Sequence, residues 1–315
     1  MITRTPTQSI AALITKNASQ QTYYTIHFLV DRKRVEDAYR AYAYFRWVDD
    51  TLDASTLRPG VTIQARADFL ERQKALLEKC CRGESLSDLT PEEDMLVELV
   101  QTDRDRNSGL YSYLHNMMKV MEFDAARRGR LISASELNEY TRWLATAVTE
   151  AMHYFIGHDS YSPHDETRYL AVSGAHITHM LRDTHDDLQA GYYNVPREVL
   201  KANRIAPGDI RSDAYRSWVQ NRVRLARQSF QAGRAYLARV ENPRCRLAGV
   251  AYTARFEWLL DMIEKEEFFL RPHYSERKKL RSGLHMAWNI LSSATELRRA
   301  RPLRQPVISH SLRKT

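Results

Sequence analysis

The sequence predicts an all-α protein, and three observations carry that prediction. Apolar residues recur at three- and four-residue spacing through most of the 315 residues, the mark of amphipathic helices. Glycine (11) and proline (10) are scarce for this length, and both are poorly tolerated inside helices. No alternating stretch is long enough to suggest a sheet. Taken in order, the pattern predicts helices over 33–55, 62–82, 92–104, 109–128, 134–156, 165–190, 212–241, 244–271 and 276–299. Arg58-Pro59-Gly60 separates the first two. Thr90-Pro91-Glu92-Glu93 reads as the start of the third, with proline in the first helical position. Ser133-Ala134-Ser135-Glu136 opens the fifth as a capping box. Pro163, Pro196, Pro207 and Pro243 fall between periodic stretches.

Composition narrows the class further. The chain is 43% hydrophobic and 27% charged, which excludes a disordered protein and suits one helical domain over 1–297. A basic tail over 298–315 follows, carrying Arg298, Arg299, Arg301, Arg304, Arg313 and Lys314. Cys80, Cys81 and Cys245 make no metal or redox spacing. No secretory signal and no run of about 18 apolar residues occurs. A cytoplasmic protein is expected. The net charge of +8 admits nucleic acid, an anionic membrane surface or anionic small substrates. No nucleic-acid-binding motif accompanies it, so no nucleic-acid partner is expected. The tail is either solvated or a peripheral membrane contact.

Two segments carry chemistry. In Tyr39–Asp53, the residues Tyr42, Arg46, Asp49 and Asp53 share one helical face. In His176–Asp187, His176, His179, Asp183 and Asp187 do the same. Each face sets two carboxylates one turn apart, a repulsion of roughly 0.2–0.5 kcal/mol even in water. The cost rises among aromatic and aliphatic neighbours unless the charges are paired or bind a cation. Facing carboxylate pairs suit a hard divalent ion, and Mg²⁺ is commonly held by few carboxylates and completed by substrate phosphates. Di-iron bundles carry two Glu-x-x-His motifs, and this chain has a single one, Glu150-Ala151-Met152-His153.

These segments resemble a known family. Ala41–Asp53 is similar to the first aspartate-rich motif of squalene and phytoene synthases, and Met180–Asp187 to the second. Met121-Glu122-Phe123-Asp124, Glu136–Tyr140 and the basic Arg277–Leu280 resemble further family segments, so the likeness runs over about 20–285. The resemblance implies an isoprenoid-synthase helical bundle around a central cavity. It implies head-to-head condensation of two prenyl diphosphates, farnesyl or geranylgeranyl, through a cyclopropyl diphosphate. Asp49, Asp53, Asp183 and Asp187 would hold Mg²⁺, and Arg46 and Arg182 would meet diphosphate. Tyr42, Phe45, Tyr140 and Phe256 are candidates to stabilise cations with their ring faces. Tyr23 and Tyr24 fall near the family's first-helix substrate contacts. NADPH is a second cofactor that the resemblance allows.

The departures are specific. His176 and His179 stand where the family carries Gln and Asn. Gly191-Tyr192-Tyr193-Asn194 replaces Gly-Arg-x-Tyr, although Pro196 follows as expected. Leu144–Thr149 is bulkier than the usual Val-Ala-Gly-x-x-Gly. His179, Asp183 and Asp187 have the i, i+4, i+8 spacing of the second metal motif of terpene cyclases, which gives His179 the place of a metal ligand. His176 becomes a candidate base. A cyclase acting on one diphosphate, and a non-catalytic helical homologue binding a membrane or protein, are the alternatives.

Overall fold

Hydroxyl and amide side chains start the helices. The computed structural model describes residues 9–57 and 63–274. Ser9 and Ser19 cap α1 (Ile10–Ala18) and α2 (Gln20–Leu29) through the backbone N–H groups of Ala12 and Thr22. A 3₁₀ turn at Arg32–Arg34 leads into α3 (Val35–Leu57), followed by α4 (Ile63–Arg82). The expected helix start at Thr90 opens α5 (Pro91–Thr102), where a capping box also forms, and the expected capping box at Ser133 opens α7 (Ala134–Phe155). Between these lies α6 (Gly109–Arg127), capped by Ser108. The chain continues through α8 (Leu170–Arg182), α9 (Thr184–Ala190), α10 (Arg197–Asn203), α11 (Asp213–Arg239) and α12 (Pro243–Lys265). No strand occurs among the described residues; Leu131 and Tyr193 make one isolated parallel bridge.

The all-α class therefore holds, with local corrections. Short α1, α2 and α10 were not predicted. The expected helix over 165–190 begins five residues later and breaks at Asp183, and the last described helix ends at Lys265 rather than 271. Arg58-Pro59-Gly60, the helix expected over 276–299, the basic Arg277–Leu280 and the tail over 298–315 lie outside the described residues.

Two hydrophobic cores form. The first joins α1–α7 with the end of α11 and the start of α12, around Tyr44, Leu77, Leu96, Leu99, Leu114 and Leu137. The second joins α8, α10, α11 and α12 around Leu181, Tyr215, Val219, Phe230 and Leu260. Between them, buried Arg168 donates to both Glu150 carboxylate oxygens, at 2.7 and 2.9 Å, and to the Tyr236 hydroxyl at 2.9 Å. Pairing and saturation of this kind are what make a buried charge tolerable. Helix α8 lies close on α11 because Gly233 leaves room: a Cβ there would fall 2.7 Å from the Ala171 backbone.

Candidate active site

Helix α3 buries Ala41, Tyr44, Phe45 and Val48, which turns Arg46, Asp49 and Asp53 the other way. Arg46 donates to Asp50 at 3.0 Å through Nε and to Asp49 at 3.4 Å. Burial pushes the Asp49 carboxyl up to about 6, helped by Asp53 and Asp124 and opposed by Arg46. Asp53 is raised too, by burial and then by Asp124. Tyr42 is half-buried beside Ser19 and Thr22. Phe45 sits in the core, edge-on to Tyr44 and Tyr113 at 5.0 and 5.4 Å.

The second face is built differently. The Thr184 hydroxyl donates to the Met180 carbonyl at 3.0 Å, a competition that bends helices, and α8 gives way to α9 at Asp183. Asp183 faces His179 Nε2 at 2.9 Å and accepts from Arg182 at 2.5 and 2.8 Å. Burial alone would raise this carboxyl; His179 and Arg182 outweigh burial and hold it well below the carboxylate range. Asp187 makes no such ion pair among the described residues, and Arg127 acts on it only through its field. Burial lifts it to about 6, against a hydrogen bond from Asn194 and with the field of Asp183 added. His176 is buried, 3.2 Å from the Thr141 hydroxyl and edge-on to Tyr140, and its burial keeps the imidazole neutral. His179 is the exposed histidine, its side chain 47% accessible.

Asp124 on α6 stands between the two faces: its charge is felt at Asp49, Asp53 and Asp187 alike. It accepts from the Tyr140 hydroxyl at 2.8 Å and from Arg127 Nε at 2.6 Å. Sequence reasoning singled out Asp124 only as part of a similar segment and Asn194 only as part of a loop that departs from the family pattern, and it missed Arg127 altogether. The one signal for Arg127 and Asn194 was the unusual Tyr192-Tyr193-Asn194 loop.

A cavity of about 500 Å³ opens beside the second face, lined by Arg182, Arg255, Phe256, Trp258 and by Ser19–Gln21 at the start of α2. Among the described residues its lining includes no carboxylate. Arg255 donates to Gln21 at 2.7 Å and lies over the Phe256 and Tyr252 rings at 4.5 and 4.6 Å, while its buried Nε has no partner among the described residues. Arg255 too escaped the sequence reading, having no motif around it. Phe256, predicted to meet substrate, is buried in this wall 6.2 Å from His179.

Among the described residues no three His, Cys, Asp or Glu side chains close up into a metal cage. The donor set nonetheless fits Mg²⁺, which keeps open positions for water and phosphate. Carboxylates raised by burial and by one another, despite the fields of Arg46, Arg128 and Arg127, would be relieved by a divalent ion.

The sequence profile of squalene/phytoene synthases matches residues 15–282. The chain belongs to the squalene/phytoene synthase family. It is accordingly a prenyltransferase whose family binds prenyl diphosphates and joins them head to head. Solved structures share the fold. Squalene synthase HpnC from Alicyclobacillus acidocaldarius superposes with a TM-score of 0.64 at 19% identity, covering 83% of this chain and 94% of its own. A dehydrosqualene synthase in complex with ligand gives 0.67 at 16% identity, covering 92% and 95%. A complex of TcSQS with BPH1237 gives 0.62 at 12%, covering 94% and 92%. No curated protein sequence matches the chain. No described helix is long and apolar enough to cross a membrane.

Proposed function

We propose that this protein condenses two molecules of farnesyl or geranylgeranyl diphosphate in a Mg²⁺-dependent reaction, giving a squalene- or phytoene-type hydrocarbon. The observation that supports it is the pairing of unlike anion sites. Two acidic faces share the field of Asp124, and a cavity with two guanidiniums lies beside them. An acidic site takes a diphosphate only with metal, whereas a cationic one takes it directly.

Asp49, Asp53, Asp183 and Asp187 would hold Mg²⁺, which when bound neutralises the leaving diphosphate. Arg46 and Arg182 would then turn from their aspartates to diphosphate oxygens. His179, released from Asp183 in the same exchange, would ligate metal or donate to diphosphate. Loss of diphosphate would leave an allylic cation; the double bond of the second substrate would attack it, and loss of a proton from the cation so formed would close the cyclopropane. Departure of the second diphosphate would then give a rearranged cation that either loses a proton or takes hydride from NADPH. Phe256, Tyr140 and Tyr42 would stabilise that charge with their ring faces. His176, neutral and beside Tyr140, is placed to accept a proton. Contact of the basic tail with a membrane surface would suit such greasy substrates, and pelleting with anionic vesicles would test it.

The test of the reaction is incubation with each diphosphate and Mg²⁺, with and without NADPH, followed by mass spectrometry of the hydrocarbon extract. A C30 or C40 product supports coupling, and its response to NADPH shows whether a reductive step follows. C15 or C20 hydrocarbons would overturn coupling in favour of a cyclase, and release of no diphosphate would overturn the enzymatic assignment of the site.

A further inference from the structure

The loop after α9 reads Gly191-Tyr192-Tyr193-Asn194 where the family pattern has an arginine and a tyrosine. The structure brings a guanidinium against this loop from another helix. Arg127, the last residue of α6, is 6% exposed and lies over the Tyr192 ring at 4.8 Å and the Tyr140 ring at 5.1 Å. Its Nε donates to Asp124 and its Nη1 donates to Asn194 Oδ1 at 2.8 Å. A guanidinium has donors only, so the Asn194 amide must turn its oxygen toward Arg127. Its NH₂ is thereby aimed at Asp187, whose Oδ2 it meets at 2.5 Å. Asn194 is 5% exposed. An aspartate there would accept from Arg127 but repel Asp187; the amide alone serves both.

The backbone holds this relay in register. Gly129 N–H donates to the Gly191 carbonyl at 2.8 Å, and Arg197 N–H to the Ile132 carbonyl at 2.8 Å. Tyr192 N–H closes back on the Asp187 carbonyl at 2.7 Å. The loops that follow α6 and α9 are therefore zipped together, and a continuous path runs Tyr140, Asp124, Arg127, Asn194, Asp187.

We propose that Arg127 and Asn194 are positioning residues that fix Asp187 of the second acidic face against Asp124 and the first. The inference rests on the metal–diphosphate reading of the site, and it assigns to α6 a guanidinium that the family pattern carries on the loop.

The full chain is titrated with Mg²⁺ and inorganic pyrophosphate, read by calorimetry and by the shift in melting temperature, with kcat and KM measured alongside. Outer partners of metal-binding groups commonly contribute roughly 10–100-fold in affinity, and a loss of that size is expected for Arg127→Gln and Asn194→Ala. In kinetics it should appear as a higher Mg²⁺ requirement and lower kcat. Adding Tyr192→Arg and Asn194→Tyr to Arg127→Gln should recover most of the loss. Folded variants that bind Mg²⁺–pyrophosphate like the wild type overturn the inference, as does a lower melting temperature without loss of affinity. Should Arg127→Gln fail to fold, Asn194→Ala decides, because it leaves the Arg127–Asp124 pair intact. Wild-type protein that does not bind Mg²⁺–pyrophosphate would instead overturn the reading of the site itself, and the inference with it.

Discussion

The two acidic faces have the same spacing in sequence and opposite electrostatics in the fold. On α3, Asp49 and Asp53 lie on one unbroken helix, both raised, with Arg46 drawn chiefly to Asp50. At the α8–α9 junction, Asp183 is held ionised by Arg182 and His179, while Asp187 one turn on is raised to about 6. The shared four-residue spacing fixes direction only. What each carboxylate can do depends on which cations the neighbouring residues supply. Asp49 and Asp187, from different motifs, are the most alike.

That likeness can be broken most sharply in activity. Asp49→Asn and Asp187→Asn should each lower kcat by at least about a hundredfold, the scale of removing one electrostatic contact at developing charge. A loss at only one of the two would end the equivalence.

Moving one face without touching its charges is the next test. Gly233→Ala must push α8 away from α11, because the new Cβ would collide with Ala171. Overpacking of this kind costs about 1–3 kcal/mol. Denaturant melts should show that loss, together with weaker Mg²⁺ activation, although α3 is untouched.

A smaller effect separates the aspartates by pH. Asp49 and Asp187 are raised from 3.8 to about 6, so the stability they favour is present below pH 4 and lost as pH rises through 6. Asp183 is lowered, so its contribution holds above 3.8 and is lost only in stronger acid. In chelator, melts from pH 4.5 to 7.5 should flatten for Asp49→Asn and Asp187→Asn and keep their slope for Asp183→Asn. The first two should melt a few degrees above wild type at pH 7, the usual exchange of function for stability. An unchanged wild-type slope in both would show that those carboxyls are not raised.

The smallest effect is expected at the most visible ion pair. Arg46 and Asp50 are both largely exposed, and such pairs contribute about 0–1 kcal/mol. Arg46→Gln should leave the melting temperature nearly unchanged and act on substrate KM. A fall of several degrees would mean that Arg46 serves the fold.

The sequence was legible where the signal is local. Helix periodicity, the helix start at Thr90, the capping box at Ser133, and the four aspartates can all be read from neighbours three or four residues away. Helices α1 and α2 were not, because nine- and ten-residue segments separated only by Ser19 carry too few turns to set a period. The break at Asp183 depends on a hydroxyl that competes for a carbonyl, which spacing does not reveal. Arg127 and Arg255 could not be assigned, since their partners lie far along the chain: Asn194 is 67 residues from Arg127, and Gln21 is 234 from Arg255. The substitution of Tyr192 and Asn194 for the usual residues was visible; its counterpart on α6 was not.

The seam between the two cores has a further consequence. Helix α8 gives Met180 to the first core and Ala175, Ile177 and Leu181 to the second, so the helix that carries His176 and His179 lies where the two cores meet. Under the proposed function a prenyl chain entering at this seam would act as a missing piece of interior, each buried CH₂ contributing about 0.8 kcal/mol. Chain length would thereby be translated into cohesion between the halves of the protein, the substrate serving as a wedge of borrowed core before any bond is broken.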